Sequence, residues 1–496
     1  MIGETPDLVS RHSTVFRPES ARVVTKLFVP GEESPKTKSR ASALVRRVLA
    51  LPENAVTAAL TRVLADFSGR HQDFASVLER NGAIMSHRLV DPGSLGSQRK
   101  LLLGACFTHE YAVEAAALCN PSLVPHHRQD GLAPGETRVV LSLRGIGEGH
   151  LSSIGFATGV LGLGPSATWD PRTGPLSTGE HRPGSWHRAW LRAALTHDGC
   201  DNEIAATVTA TLPEYFGQRD LDRELAALDS RLLGRAGAGG TVSRIRELVT
   251  ASYTVRFPAR TSLAQRVLWP GCAPESHGME DARFVRFTDG AEWTGYRATY
   301  TAYNGSTVAP RLLESADLTS FTACSLTGPA ARNKGMALFP RPVGGRQLAL
   351  CRGDGETTSL AASPDGRYWS DEVPLRGPTA DWELLQVGNC GSPLETAEGW
   401  LVLTHGVGPM RTYAIGALLL DRTDPARVVA ALPAPLLVPD DGERNGYVPN
   451  VVYSCGGLIN GGTLWIPYGC SDSRVALATV PVAALLARLR EAGAAV

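Results

Sequence analysis

Hydrophobic positions recur every three to four residues over the first quarter of the chain. Segments 39–50 (SRASALVRRVLA) and 54–67 (NAVTAALTRVLADF) each place an apolar stripe on one helical face. Segments 73–80 and 97–119 continue the same period. The pattern predicts an N-terminal α-helical domain over residues 1–130.

The pattern then changes to short β-branched runs separated by glycine. Four stretches have the form of a hairpin, with turns near Gly290, Gly344, Gly399 and Gly461. Their separations of 54, 55 and 62 residues predict the blades of a β-propeller, and segment 138–215 supplies enough strands to make five blades. The expected fold class is mainly β, a five-bladed β-propeller over residues 131–480. A β-sandwich with long loops would explain the hairpins but not their spacing.

Two more helical segments interrupt or follow the β pattern. Segment 219–252 is helical by period on both sides of a glycine run, which predicts a helical insertion between early blades. Residues 481–492 (PVAALLARLREA) predict a last amphipathic helix with Pro481 at its start, in a C-terminal segment 481–496.

Composition narrows the class of protein. The 496 residues are 43% hydrophobic, which excludes wholesale disorder, and the balance of 49 basic against 49 acidic side chains gives no electrostatic reason to expect nucleic acid as a partner. No stretch approaches 18 uninterrupted apolar residues, and the polar N-terminus predicts no signal peptide. The nine cysteines are scattered without a CxxC pair, which indicates reduced thiols in a cytoplasmic protein.

Several familiar catalytic motifs are absent from the sequence. It contains no GxSxG, no Walker A run and no HExxH, and the glycine run GIGEGH lacks the third glycine of a dinucleotide loop. We therefore expect neither a metal nor an organic cofactor.

The densest polar cluster is Glu280-Asp281-Ala282-Arg283, which is followed closely by several tyrosines. A carboxylate beside an arginine stays ionised unless it is also desolvated. Asp281 is therefore either a structural ion-pair partner or, in a shielded funnel, a proton donor.

A basic group follows at Arg332-Asn333-Lys334, with Arg341 and Arg352 on later strands. Several cations that converge on one point can bind a phosphate or a sugar carboxylate through charge-assisted hydrogen bonds. The alternative is an ordinary solvated face.

A third group combines aromatic and polar side chains. It comprises His405, Arg411, Tyr413, the run Tyr447 to Asn450, and the run Tyr468 to Asp472. Such sets hold a sugar ring by stacking and by hydrogen bonds to its hydroxyls, and they also occur as propeller packing.

These residues lie in blocks that resemble glycoside hydrolase family 130, the β-mannoside phosphorylases and related β-mannosidases. The collinear blocks include GMEDARFVRF, NKGMALFP, LTHGVGPMRTYAIGALLLD, GYVPNVVYSCGG and PYGCSD. RVVLSLRGIGEGHLSSIGFATG resembles the opening blade of a longer branch that carries a helical N-terminal domain. The resemblance spans roughly residues 100–480 and implies a five-bladed propeller with the site at its central funnel.

The resemblance also implies roles for individual residues. Asp281 of the E-D-x-R motif is the implied general acid, which passes its proton to the glycosidic oxygen through a mannose hydroxyl. The implied substrate-binding residues are Glu280, Tyr303, His405, Tyr413 and Asp472. The implied phosphate-binding residues are Arg283, Lys334, Arg341 and Arg352.

One acidic motif beside several cations favours phosphorolysis, because phosphate is already an anionic nucleophile. An inverting hydrolase needs a second carboxylate to activate water, and Glu395, Glu383 and Glu356 are the candidates. Many family phosphorylases have proline where this chain has Ala282, and they carry an arginine after the TYTAY block, for which Arg311 is the nearest match.

The expected function is therefore reversible, inverting phosphorolysis of β-mannosides to mannose 1-phosphate. The expected partners are a β-mannoside oligosaccharide and inorganic phosphate, with no nucleic acid or membrane and with a possible homo-oligomer through the helical domain. The alternatives are an inverting β-mannosidase, a mannosyltransferase that runs the same reaction in the synthetic direction, and a non-catalytic carbohydrate-binding propeller. The last of these has no need for an acid beside an arginine.

Overall fold

The computed structural model describes residues 8–31, 39–89, 93, 95–290 and 292–493. The protein is mainly β, as predicted, with 37% strand and 26% helix. The α-helices are α1 (Arg40–Leu49), α2 (Glu53–Phe67), α3 (Phe74–Ile84), α4 (Ser97–Cys106), α5 (Arg188–His197), α6 (Glu203–Thr211), α7 (Gln218–Ala226), α8 (Ser230–Leu233), α9 (Ala238–Thr250) and α10 (Val482–Ala492).

The strands fall into several sheets. They are β1 (Ser10–Phe16), β2 (Val23–Leu27), β3 (Thr108–Ala112), β4 (Ala117–Pro125), β5 (Thr137–Ile146), β6 (Ser152–Leu161), β7 (Ala167–Trp169), β8 (Glu180–Pro183), β9 (Trp186–His187), β10 (Tyr215–Phe216), β11 (Tyr253–Arg256), β12 (Val267–Leu268), β13 (Gly278–Asp289), β14 (Glu292–Tyr303), β15 (Val308–Ser315), β16 (Ser320–Ser325), β17 (Ala337–Leu338), β18 (Gln347–Cys351), β19 (Thr358–Ser363), β20 (Ser370–Arg376), β21 (Gln386–Asn389), β22 (Leu394–Glu395), β23 (Trp400–Val407), β24 (Tyr413–Leu420), β25 (Val428–Ala431), β26 (Val452–Tyr453), β27 (Leu458–Asn460), β28 (Thr463–Cys470) and β29 (Arg474–Pro481).

The predicted N-terminal helices are confirmed at α1, α2 and α3, but the fourth is wrong beyond Cys106. Residues 107–119 leave the helix and enter β3 and β4, where β3 pairs with β2 and β4 is buried along almost its whole length. The alanine-rich sequence of this segment favours a helix locally, but the segment is buried between other strands and therefore forms strands itself. Strands β1 and β2 were not predicted, so the segment 1–130 is mixed rather than wholly helical.

The later helices are confirmed and extended. Helices α7, α8 and α9 lie in the predicted insertion 219–252, and α10 matches the predicted C-terminal helix. Helices α5 and α6 precede them without having been predicted, and they share one buried apolar cluster with α7 and α9 that includes Leu191, Ile204 and Ile245. The helical segment therefore begins at Arg188.

All four predicted hairpin turns are present. The strands that flank Gly290, Gly344, Gly399 and Gly461 are joined by antiparallel pairs. The largest sheet has the order β4-β5-β6-β13-β14-β15-β16-β11-β8, with β7 and β12 added to β6. Three further sheets contain β17 to β20, β21 to β25, and β26 to β29, and β1 pairs with β29 so that the first described strand completes the last sheet.

Two parts of the largest sheet meet through one parallel pair, Gly278 with Ser152. Gly278 has φ +142°, and a Cβ there would lie 2.9 Å from Ser152. Only glycine permits this approach, which places the start of β13 beside the start of β6.

All nine cysteines are free thiols. Within the described ranges no single helix has the length and apolar character of a membrane span, and one sharply bent pair, α1 with α2, passes that test only when the two are taken together.

A buried ion cluster ties the N-terminal segment to the sheets. The Glu114 carboxylate accepts hydrogen bonds from Arg22 Nε at 3.0 Å and from Arg172 Nη2. Arg22 also donates to the carbonyls of Arg172 and Ala264 at 2.9 and 2.8 Å. One carboxylate thus fixes three separate chain segments.

We expect Glu114→Ala to lower the free energy of unfolding by about 3 kcal/mol, because two buried guanidinium groups lose their counter-charge. Chemical denaturation followed by tryptophan fluorescence measures this change. The control is Glu180→Ala, which removes the exposed partner of Arg182 and should leave stability unchanged. Equal effects of the two variants would contradict this role of Glu114.

Candidate functional site

The candidate acid lies on an irregularity in β13. The register of β13 against β14 shifts between Glu280 and Arg283, and Asp281 at the shift has φ +54°. A bulge of this kind redirects side chains, and a left-handed aspartate stores strain that persists only where its surroundings enforce it. Glu280 and Asp281 are consequently both available to one partly buried cation.

That cation is Arg144 on β5. Its Nη2 donates to Glu280 Oε1 at 2.7 Å, and its Nη1 donates to Asp281 Oδ1 at 3.1 Å. Burial opposes ionisation of Asp281, but the positive charges of Arg144, Arg283 and Lys334 together outweigh it, and the resulting pKa lies below the ordinary value. Asp281 is therefore a carboxylate.

Arg144 was missed by the sequence analysis. A signal existed, because it is a charged residue in the middle of the apolar run VVLSLRGI, where burial requires a partner. The partners lie more than 130 residues away along the chain, so only the fold brings them together.

Arg283 stabilises the bulge by hydrogen bonds to the backbone. Its guanidinium donates to the carbonyls of Asp281 and Cys390 at 2.8 Å each, and to the Tyr453 hydroxyl at 2.8 Å. The side chain is only 1% exposed. Its donors thus hold the backbone at the junction of three sheets, and the assignment of Arg283 to phosphate stays a prediction.

Lys334 lies at the accessible side of the same carboxylates. Its Nζ donates to Glu280 Oε2 at 2.9 Å, and its side chain is 38% exposed. Asn333 before it has φ +62°, a conformation that asparagine tolerates better than most residues. The structure thus brings the predicted cation Lys334 to the predicted acid motif, where an incoming anion can reach it.

Arg352 and His405 form a second polar pair. Arg352 Nη1 donates to His405 Nε2 at 2.8 Å, and both side chains are buried. Burial lowers the pKa of His405 well below its ordinary value, and the charge of Arg352 adds to this effect. His405 is therefore neutral, and Nε2 accepts. Gly388 leaves room for the pair, since a Cβ there would lie 2.6 Å from His405 Cε1 and 2.9 Å from Arg352 Nη1.

The predicted tyrosines line the same region. Tyr413 stacks on His405 with ring centroids 6.1 Å apart, and Tyr453 meets the edge of His405 at 4.8 Å. Tyr303 is half-buried at the end of β14 and donates to the Gly305 carbonyl at 2.8 Å. It lies two residues from Thr301, the register partner of Glu280, and so on the same face of the sheet.

Asp472 carries the second candidate carboxyl. It follows β28, and both it and Ser471 have positive φ. Burial raises the pKa of the Asp472 carboxyl to about 6, an effect strengthened by Asp281 and opposed by Arg144. In the described part of the chain the carboxyl makes no hydrogen bond or ion pair, so its oxygens are available to hydroxyl groups of a ligand.

Two other predicted cations lie elsewhere. Arg341 pairs with Glu395 through Nε at 2.9 Å and stacks over Trp400, so the structure does not bring it to the acid motif, and its assignment to phosphate stays a prediction. Arg311 is buried, where it pairs with Glu275 and donates a hydrogen bond to the Tyr300 hydroxyl. It is 1% exposed and cannot meet an entering anion.

Of the three glutamates considered as a catalytic base, two are paired with arginines and the third is exposed on a loop. Glu395 binds Arg341, and Glu383 is buried against Arg376 at 2.8 Å. Glu356 is exposed on the loop that follows Arg352. None of them makes a described contact with Glu280, Asp281 or Lys334. Over the described residues, no group of three or more His, Cys, Asp or Glu side chains has the geometry of a metal site.

Comparison with known proteins gives a consistent set of relatives. Residues 248–491 match the family model described as beta-1,4-mannooligosaccharide phosphorylase. The chain is 36% identical over 148 residues to a 1,2-beta-oligomannan phosphorylase of Thermoanaerobacter sp., over 29% of this chain and 50% of that protein. It is 32% identical over 231 residues to a beta-1,2-mannobiose phosphorylase of Listeria innocua, over 45% and 63% respectively.

The matched regions thus span half of the first of these relatives and under two thirds of the second. Among solved structures, the beta-1,2-mannobiose phosphorylase of Listeria innocua aligns with 77% of this chain and 93% of its own, at 22% identity and a TM-score of 0.46.

We expect Asp472→Asn to raise the melting temperature at pH 7.5. At that pH the carboxyl is ionised in both states, and its raised folded pKa means that folding disfavours the charge. The gain should shrink as pH falls through about 6 towards the unfolded pKa of about 4, below which both states are protonated. Differential scanning calorimetry across this range measures the effect.

The matched control has the opposite sign. Hydrogen bonds from the Asp424 amide and from Arg427 lower the pKa of Asp421, so Asp421→Asn should lower the melting temperature at pH 7.5. A destabilising effect of Asp472→Asn at that pH would contradict the strain assigned to Asp472.

Proposed function

Because the chain belongs to glycoside hydrolase family 130, we propose that it cleaves β-mannosides by reversible, inverting phosphorolysis that releases mannose 1-phosphate. The named relatives act on β-1,2- and β-1,4-linked mannosides, which supports this class of substrate. The observation that carries the proposal is the contact of one acid motif, Glu280 with Asp281, with two cations, Arg144 and Lys334.

In the proposed reaction, Asp281 supplies one proton to the glycosidic oxygen, relayed through a mannose hydroxyl. A phosphate oxygen attacks the anomeric carbon from the opposite face while the bond to the departing sugar breaks. The products are mannose 1-phosphate of inverted configuration and a sugar with a free hydroxyl. Asp472 accepts hydrogen bonds from hydroxyls of the mannose, and His405 and Tyr413 supply a polar aromatic wall.

Lys334 is the principal phosphate ligand in this proposal, and Arg352 is the second ligand. Lys334 is half-exposed, and among the described residues it is paired only with Glu280, so a phosphate can compete for its charge. Arg352 Nε is buried and makes no hydrogen bond to another described residue, which leaves one donor for a ligand.

The charge of phosphate also provides the proton that the acid needs. Arg144 and Lys334 hold Asp281 ionised before phosphate binds. A bound phosphate offsets this positive charge, which raises the pKa of Asp281 and favours uptake of a proton. Asp281 then becomes an acid at the stage when the nucleophile is present.

We also propose that the sheets form a five-bladed β-propeller around this site. Five consecutive strand groups support it: β4 to β7, β13 to β16, β17 to β20, β21 to β25, and β26 to β29 with β1. The separate N-terminal domain, the oligomer and the cytoplasmic location stay predictions from the sequence.

The experiment that tests the function is an incubation of the purified protein with β-1,2-, β-1,3- and β-1,4-mannobiose, with and without inorganic phosphate. We expect phosphate-dependent release of mannose 1-phosphate, measured by anion-exchange chromatography. Lys334→Met should raise the KM for phosphate about tenfold, because a charge-assisted hydrogen bond is lost. Lys100→Met on α4 is the control. Free mannose formed at the same rate without phosphate would overturn the proposal.

Asp281→Asn should lower kcat about a thousandfold, because the general acid is removed. Binding of mannose, followed by isothermal titration calorimetry, should remain. Asp289→Asn is the matched control, since Asp289 is an exposed aspartate on the same strand, and it should leave kcat unchanged. Undiminished turnover of Asp281→Asn would refute the assignment of the acid.

A further inference from the structure

We propose that Asn389 is a positioning residue for Lys334, and that it acts through the backbone of the loop that carries this cation. The inference rests on the proposed function, in which Lys334 is the principal phosphate ligand. It adds a residue that acts on the phosphate through another side chain rather than by contact.

The loop before β17 carries Lys334 between two residues in the left-handed conformation. Asn333 has φ +62° and Gly335 has φ +93°. Neither these two residues nor Lys334 makes a backbone–backbone hydrogen bond to another described residue, so no helix or sheet fixes this turn. Such a conformation persists only where the surroundings enforce it. Because the lysine side chain is long and flexible, the position of its Nζ depends on what holds the loop.

The side chain of Asn389 holds this loop. Its Nδ2 donates to the Gly335 carbonyl at 2.8 Å, and the side chain is only 1% exposed. Its Oδ1 is buried and accepts no hydrogen bond from another described residue. A buried acceptor without a partner costs free energy, so the favourable contribution of this carboxamide is its bond to the loop.

The same end of β21 also holds the acid. Asn389 is the last residue of this strand, and the next residue, Cys390, accepts a hydrogen bond from Arg283 Nε at 2.8 Å. Arg283 in turn donates to the carbonyl of Asp281 at 2.8 Å. Two consecutive residues therefore fix the backbone beside the cation and the backbone beside the acid. The distance from the bound phosphate to Asp281 is consequently set at this point.

The second phosphate ligand is held independently of Asn389. A Cβ at Gly335 would lie 4.0 Å from Arg352 Nη2, so the loop passes beside this guanidinium. Arg352 Nη1, however, donates to His405 Nε2 at 2.8 Å. Loss of the bond from Asn389 should therefore displace Lys334 and leave Arg352 in place.

The test is a double-mutant cycle on the affinity for inorganic phosphate, measured by isothermal titration calorimetry without sugar. Asn389→Ala removes the donor and adds no charge, and Asn389→Leu removes it without leaving a void. We expect each to raise the Kd for phosphate about fivefold, the effect of one hydrogen bond. In the Lys334→Met background each should change the Kd less than about twofold, because Asn389 acts through Lys334.

Steady-state kinetics with β-1,2- and β-1,4-mannobiose give a second measurement. Asn389→Ala should raise the KM for phosphate about fivefold and leave kcat and the KM for mannobiose unchanged, because only binding of phosphate is weakened. The matched control is Asn460→Ala. Asn460 is also a buried asparagine whose Nδ2 donates to a glycine carbonyl, that of Gly162 at 3.1 Å, and its substitution should leave the affinity for phosphate unchanged.

Equal effects of Asn389→Ala with and without Lys334→Met would overturn the inference, since Asn389 would then act independently of Lys334. Unchanged phosphate affinity in both Asn389 variants, or an equal loss in Asn460→Ala, would also overturn it. Release of mannose by the unaltered protein at the same rate without phosphate would refute the proposed function alone, because the cycle is measured without sugar. Failure of the unaltered protein to bind phosphate would reject both.

Discussion

The site depends on the position of one partly buried cation, Arg144. Its two Nη groups hold Glu280 and Asp281, which leave β13 in different directions at a bulge. Without Arg144, two carboxylates would be buried side by side with Lys334 as the nearest remaining cation, and their repulsion would favour protonation of one or a local rearrangement. With it, Asp281 stays ionised and both carboxylates are held in place by hydrogen bonds, so the geometry of the acid is set before any ligand arrives.

The backbone around this cation is strained in a consistent way. Asn120, Asp281, Asn333, Ser471 and Asp472 all have positive φ, and each follows or interrupts a strand near the site. Strands alone would point alternate side chains to opposite faces, whereas these residues turn polar groups to a common point. The stability lost in this way is offset elsewhere by buried networks such as Glu114 with Arg22 and Arg172, so rigidity and strain belong to different parts of one fold.

Sequence reasoning located what is local and missed what depends on distant contacts. The turn glycines are confirmed, and Asp281, Lys334 and His405 could be singled out as candidates, because turns and motifs are read from neighbouring residues. The run after Cys106 was misassigned because burial among other strands overrode an alanine-rich helical pattern. Arg283 was assigned to phosphate from the family motif and Arg341 from its place in a basic group, whereas in the fold Glu395 pairs with Arg341 and the carbonyls of Asp281 and Cys390 accept hydrogen bonds from Arg283.

The balance of charges in the site favours phosphorolysis over hydrolysis. A hydrolase must keep a basic carboxylate beside its acid, and such a base would add negative charge to a centre that already holds Glu280, Asp281 and Asp472. The structure balances these three with Arg144, Lys334 and Arg411 rather than adding a fourth carboxylate among Glu356, Glu383 and Glu395. A dianionic nucleophile fits that balance because it arrives with its own charge, competes for Lys334 and makes protonation of Asp281 favourable. Binding of the nucleophile and protonation of the acid are therefore electrostatically coupled.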